Sequence, residues 1–298
     1  MANLKALRIR INSVRSTRKI TSAMKMVAAA KLRRAQETAE AARPYAERMA
    51  RMMGSLASAF AGREDAPALL AGNGKDQVHL LVIVSSDRGL CGSFNVGVMR
   101  ATRLRVAELH QQGRDVKLLC LGRKGRDLLR REYGSMIVDT VTGLDKDFSY
   151  QTAADISAKV TEMFEAGEFD VCSMVYNRFQ SVMTQVVTWQ GLIPAMADDD
   201  GDADDVAEDD GLGGAVHIFE PDEVEILEHL LPQNLGVQVF RGLLESQASE
   251  HAARMTAMDN ASRNAGDMID RLNTLYNRTR QAAITTEITE IVSGAEAL

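Results

Sequence analysis

Residues 88–92 (RGLCG) set a cysteine between glycines directly after an apolar run, the setting in which a nucleophile can be held on a tight strand-to-helix turn. The spacing departs from the elbow pattern, and none of His79, His110, His217, His229 or His251 stands in a recognisable base motif. A turn that needs glycine for its backbone accounts for the stretch better. Phosphate chemistry fares no better. Gly74-Lys75 lacks the upstream glycine of a phosphate loop and is followed by Asp76, and no G-x-G-x-x-G follows any apolar run. Residues 198–205 alternate carboxylates as a calcium loop does, yet Ala203 occupies the sixth position and Asp209 the twelfth, where glycine and glutamate are required. Cys91, Cys120 and Cys172 are too widely spaced for a zinc set or a disulfide framework, and suit a reducing compartment. The expectation is a chain with no catalytic residue, no cofactor and no metal of its own.

What remains is architecture. The 298 residues carry a net charge of −6, but ten Lys and Arg precede the first acidic residue, Glu37. A basic helix of this kind can read DNA when joined to a zipper. Its own Ile and Met stripe, and a second long helix in the same chain, favour packing against protein instead, so no nucleic-acid partner is expected. Residues 1–43 contain neither Pro nor Gly and are rich in Ala, Leu, Met, Lys and Arg, which predicts a long helix. Leu4, Leu7, Ile11 and Val14 form a heptad-like seam. The following turns put Arg18 and Thr21 on that line, and the apolar face is expected to move to Ile20, Met24 and Val27. Pro44 is a possible kink, although 45–60 resume helical composition.

No proline follows Pro232, and Gly242 and Gly266 are the only glycines from about 239 to 292, which predicts a second long helix. Two such helices at opposite ends of one chain most simply cover each other as an antiparallel coiled coil. Between them, β-rich runs at 79–84, 116–121, 136–141, 171–176 and 183–193 alternate with helical stretches near 94–112, 123–133 and 151–166. That pattern predicts an open, largely parallel sheet. Nine carboxylates between 198 and 210 cannot form a core and read as a solvated loop. The expected fold class is α/β: a long antiparallel coiled coil of the terminal helices plus a Rossmann-like open α/β domain, divided as 1–60, 75–220 and 222–298. No apolar run approaches the roughly 18 residues needed to span a bilayer.

Residues 19–32 (KITSAMKMVAAAKL) closely resemble the opening helix of the gamma subunits of F-type ATP synthases. Residues 86–95 (SDRGLCGSFN) resemble that family's central-domain signature, with Ser93 where glycine is usual. At the C-terminal end, 245–255 (ESQASEHAARM), 276–285 (YNRTRQAAIT) and 287–294 (EITEIVSG) are similar too, in the order the family requires. The match starts in the first residues, which argues against a removable leader.

The resemblance implies a non-catalytic central-stalk rotor standing within three alpha and three beta subunits, its foot held by the epsilon subunit and the ring of c subunits. It implies that Lys19, Ile20, Met24, Arg254, Gln281 and Thr285 meet the beta subunits. It implies further that the foot near epsilon and the c ring includes His217, Ile218, Phe219 and Glu220. The family's redox-switched paired cysteines are not seen, which points to a bacterial protein on the cytoplasmic face of the inner membrane, held there peripherally through the complex.

Overall fold

A computed structural model describes residues 4–60, 66–144, 149–195 and 223–296. The expected foot residues His217, Ile218, Phe219 and Glu220, and the acidic run 198–210, lie outside the described residues. The chain divides into two compact units, one of residues 1–30 with 254–298 and one of 31–253. Helices α1 (Leu4–Phe60) and α6 (Glu223–Glu296) contribute to both.

In the first unit the two helices run antiparallel. Leu7 and Ile11 cluster with Leu272, and Val14 and Tyr276 pack against them. Further along α1, Arg18 lies against Gly266, and Lys25 reaches Asp259. The partner number falls as the α1 number rises, as an antiparallel pair requires. Spacings of four and three residues connect Leu7, Ile11, Val14, Arg18, Thr21, Lys25 and Ala28, so the heptad line is unbroken in geometry. The expected shift of the apolar face does not occur. Thr21 is 9% exposed and Ala28 2%, whereas Ile20 and Val27 are 60% and 58% exposed. The polar residues stay on the line because the helix period, not hydropathy, decides which side chains face the partner.

The second unit is a three-layer α/β fold. Its sheet comprises β1 (Val78–Val84), β2 (Asp115–Leu121), β3 (Ile137–Val141), β4 (Val171–Phe179) and β5 (Gln185–Ile193), in the order β3-β2-β1-β4-β5. Four strands are parallel, and β5 returns antiparallel to β4 through a turn in which Ser181 and Thr184 exchange backbone hydrogen bonds. Crossovers over parallel strands are right-handed. Helices α3 (Phe94–Gln111) and α4 (Arg123–Tyr133) therefore share one face, and α5 (Tyr150–Glu165) lies on the other. The cores agree. Val98, Met99, Val106, Leu109 and Leu129 pack on Leu81, Ile83, Leu118 and Cys120. On the opposite face Ile156, Val160 and Phe164, with Leu235, Val239 and Leu243 of α6, pack on Leu80, Val82 and Met174. Each such apolar side chain stabilises the fold by roughly 1.5–3 kcal/mol when fully buried.

Both long helices carry a proline within them. α1 runs unbroken through Pro44, and α6 begins at Glu223 and passes through Pro232. A proline inside a helix forfeits one hydrogen bond and crowds the carbonyl four residues back. The packing here offsets that loss: Met49, Met53 and Phe60 of α1 bury against Leu227 and Leu231 of α6 and Leu70 of the short helix α2 (Ala68–Ala71).

Candidate functional surface

The six residues expected to meet a partner all belong to the first unit, but they form no single site. Lys19 and Ile20 are exposed on α1 and Met24 is half-buried. Arg254 is half-buried on α6. Gln281 and Thr285 are exposed about 27 residues further on, roughly 40 Å along the helix axis at 1.5 Å per residue. The Thr285 hydroxyl donates to the Gln281 carbonyl oxygen at 2.9 Å, so these two are joined within one helical turn. The register of Arg18 with Gly266 and of Lys25 with Asp259 brings Leu4, the first described residue of α1, level with about 280, so α6 beyond that point has few described α1 residues alongside. Ile284, Ile288, Ile291 and Val292 are exposed on that stretch. The surface is thus a column read at several heights rather than a pocket.

Its sides are unlike one another. Ile9, Ile20 and Val27 recur at spacings of eleven and seven on α1 and stay exposed, an apolar line flanked by Arg8, Arg10 and Lys19. The facing line carries the polar trio. Arg18 lies over Gly266, with its guanidinium carbon 3.7 Å from where a Cβ would stand. The buried Thr21 hydroxyl donates to the Arg18 carbonyl at 3.1 Å. Lys25 donates to Asp259 Oδ1 at 2.7 Å, and Arg263 meets the other carboxylate oxygen at 3.1 Å. The Lys25 hydrogen bond holds the Asp259 carboxyl below the usual carboxylate range, helped by the charges of Lys25 and Arg263.

In the second unit the 86–95 loop sits at the C-terminal end of β1, where open α/β sheets place their ligands. Here its polar groups are turned on one another. Asn95 Oδ1 accepts from Ser86 N at 3.0 Å, and Asn95 Nδ2 donates to Ser86 Oγ at 2.7 Å and to Cys91 Sγ at 3.2 Å. Asp87 accepts from the backbone of Arg123 and of Gly143 at 2.9 and 2.7 Å, tying the loop to the next two strand ends. Cys91 is buried, and Leu90 is held outward at φ +64°. Gly122 ends β2 at φ +103°, and a Cβ there would stand 2.2 Å from the Ser85 carbonyl oxygen, so this crossing admits only glycine. Sequence reading assigned the loop a tight turn; this hydrogen-bond network has no periodicity to betray it. A cavity of about 10 Å³ between α6 and β5, lined by Leu192, Leu231, Asn234 and Gln238 among others, has room for about one water molecule.

Among the described residues no helix is long and apolar enough to cross a membrane, and no group of three His, Cys, Asp or Glu could hold a metal ion.

Comparison with known proteins places this arrangement. The family model described as ATP synthase matches residues 3–298. The chain is 57% identical over 302 residues to the ATP synthase gamma chain of Parvibaculum lavamentivorans, with both chains covered in full. It is likewise 57% identical over 301 residues to that of Rhodospirillum rubrum, again with both covered in full. A solved structure of the central stalk and c ring of the Tetrahymena thermophila mitochondrial ATP synthase is similar with a TM-score of 0.62 and 26% identity, covering 82% of this chain and 99% of that one. A chain of the Euglena gracilis mitochondrial ATP synthase shares the fold, with a TM-score of 0.66 at 19% identity over 99% of this chain and 94% of that one. With an antiparallel coil, an open α/β unit and full-length matches of this strength, the chain belongs to the ATP synthase gamma chain family.

Proposed function

We propose that this chain is the central-stalk rotor of a proton-translocating F-type ATP synthase, non-catalytic itself. In this reading it stands within three alpha and three beta subunits, with an epsilon subunit and a c ring at its foot. It works peripherally, on the cytoplasmic face of a bacterial inner membrane. Residues 1–60 and 222–298 form its shaft, and 75–220 the domain carried on it.

The observation that carries the reading is the unlike sides of the antiparallel coil, with an exposed apolar line through Ile20 and Val27 on one side and ion pairs through Lys25 and Asp259 on another. Turning such a column presents each surrounding subunit with different contacts in sequence. A partner with two or more conformations then shifts toward the one that the presented side binds better, by as much as that difference in binding. Met24, Lys19 and Ile20 on α1, and Arg254, Gln281 and Thr285 on α6, are the proposed beta-subunit contacts; His217, Ile218, Phe219 and Glu220 are the proposed contacts with epsilon and the c ring. Exposed ion pairs contribute only about 0–1 kcal/mol each and are screened by salt, which suits contacts remade at every turn.

Reconstitution tests this. The chain alone should hydrolyse no ATP, and mixing it with alpha and beta subunits should yield a rotating ATPase. Robust ATP hydrolysis by the isolated chain would refute the proposal.

A further inference from the structure

The face of the sheet formed by α3 and α4 is strongly basic. Helices α3 and α4 together hold eight Lys and Arg against three Asp and Glu, a net +5 in a chain of net −6. Arg103 is matched by Glu132 across the two helices, Arg105 by Glu108 and Arg126 by Asp127. Arg100, Arg123, Lys124, Arg130 and Arg131 have no ion-pair partner among the described residues, and four of the five are exposed. Helix stability does not ask for this charge. Arg123 and Lys124 open α4, where no acidic residue stands in the first turn and where the helix dipole disfavours cations.

The chain carries its own counter-charge. Nine carboxylates lie between 198 and 210, within the stretch joining β5 to α6. Ile193 at the end of β5 is level with Cys172 at the start of β4, so this stretch leaves from the end of the sheet at which α3 and α4 terminate. Asp209 stands fourteen residues from both Ala195 and Glu223, the middle of the connection. At about 3.3 Å per residue it can reach some 45 Å from either anchor. Three or four strand spacings of about 4.8 Å and one helix layer of about 10 Å separate β5 from α4, well inside that reach.

We propose that residues 198–210 bind the basic α3–α4 face of the same chain, with Arg100, Arg123, Lys124, Arg130 and Arg131 as the receiving cations. Tethering supplies the carboxylates at an effective concentration in the millimolar range, ahead of a separate anionic partner of similar charge. The inference does not depend on the rotor reading, because its test uses the chain alone.

Zero-length carbodiimide coupling joins a lysine to a carboxylate in contact with it. In the full chain carrying Arg131→Lys, which keeps the charge, peptide mapping should find couplings from positions 124 and 131 to 198–210. Mixing isotopically light and heavy chains should show them to be intrachain. Their yield should fall about tenfold between 0.01 and 1 M salt, as the screening length drops from about 30 to about 3 Å. Adding Arg100→Gln, Arg123→Gln and Arg130→Gln should reduce it several-fold while leaving every reactive group in place. Couplings spread evenly over Lys5, Lys19 and Lys25 would overturn the proposal, as would couplings only between chains. So would a yield unmoved by the three glutamines. Anionic vesicles that bind the wild-type chain as tightly as a chain with the nine carboxylates neutralised would assign the face to lipid instead.

Discussion

The Lys25 ammonium and the Asp259 carboxylate meet at 2.7 Å at a point on the heptad line where a coiled coil ordinarily sets two apolar side chains. Both are partly exposed, so the pair holds register more than it adds stability. Asp259→Asn should lower the melting temperature slightly at low salt, and the difference should shrink at 0.5 M NaCl. A large, salt-independent loss, measured by thermal unfolding at the two ionic strengths, would mean that the pair is desolvated and this account is wrong.

Ile20 and Met24 separate two roles. With Ile20 exposed, Ile20→Asp should leave the isolated chain's unfolding free energy within about 0.5 kcal/mol of wild type. Proton-driven ATP synthesis by the assembled complex should nevertheless drop. Met24 is half-buried, so Met24→Lys should weaken both the coil and the coupling. Chemical denaturation of the chain, alongside ATP synthesis in vesicles, distinguishes the two; unchanged synthesis with both variants contradicts the proposed contacts.

Glycine positions grade by what stands opposite them. Gly122→Ala forces a side chain to φ +103° and into the Ser85 backbone, and should cost about 3 kcal/mol or prevent folding. At Gly242 the obstacle is the end of the Met174 side chain, 2.4 Å from an added Cβ, which can move aside. Gly242→Ala should therefore cost only about 1 kcal/mol, part of the overlap being offset by helix propensity. Urea unfolding of the two variants should rank them in this order.

Acid should weaken the α/β unit through His79. Burial pushes its pKa below 6.5, outweighing the Asp76 hydrogen bond at 2.6 Å and the Asp76 charge, while Arg114 lowers it further. As pH falls, the unfolded chain takes up this proton first. The stabilisation is complete above about 6.5 and is lost in the window beneath it. His79→Gln should flatten the stability profile between pH 5 and 7. A slope that persists unchanged in that variant would assign it to other groups.

Much of the α/β unit was legible because its strands are apolar runs bounded by turn residues: α4 falls on 123–133 as expected, and β5 starts two residues later than expected. The coil misled where hydropathy and geometry disagree. Ile20 and Val27 look like core, yet the period turns Arg18, Thr21 and Lys25 toward α6, where Thr21 is buried and Gly266 and Asp259 receive the exposed Arg18 and Lys25. At Pro232, where composition alone would allow a stop, α6 continues with Leu227 and Leu231 packed against α1 and α2. The candidate contacts came from resemblance, and the unbroken helix α6 then sets Gln281 and Thr285 some 40 Å from Arg254. The locking of Ser86, Cys91 and Asn95 into one hydrogen-bonded knot could not be read from residue types.

The seven-residue spacing from Leu7 to Ala28 has a mechanical consequence. A straight helix drifts about 20° per heptad from such a repeat, so helices that keep it wind round each other to the left. A left-handed rope tightens when twisted one way and slackens when twisted the other. Torque in the two senses therefore meets unequal stiffness, which gives the two directions of rotation different elastic storage within a single chain.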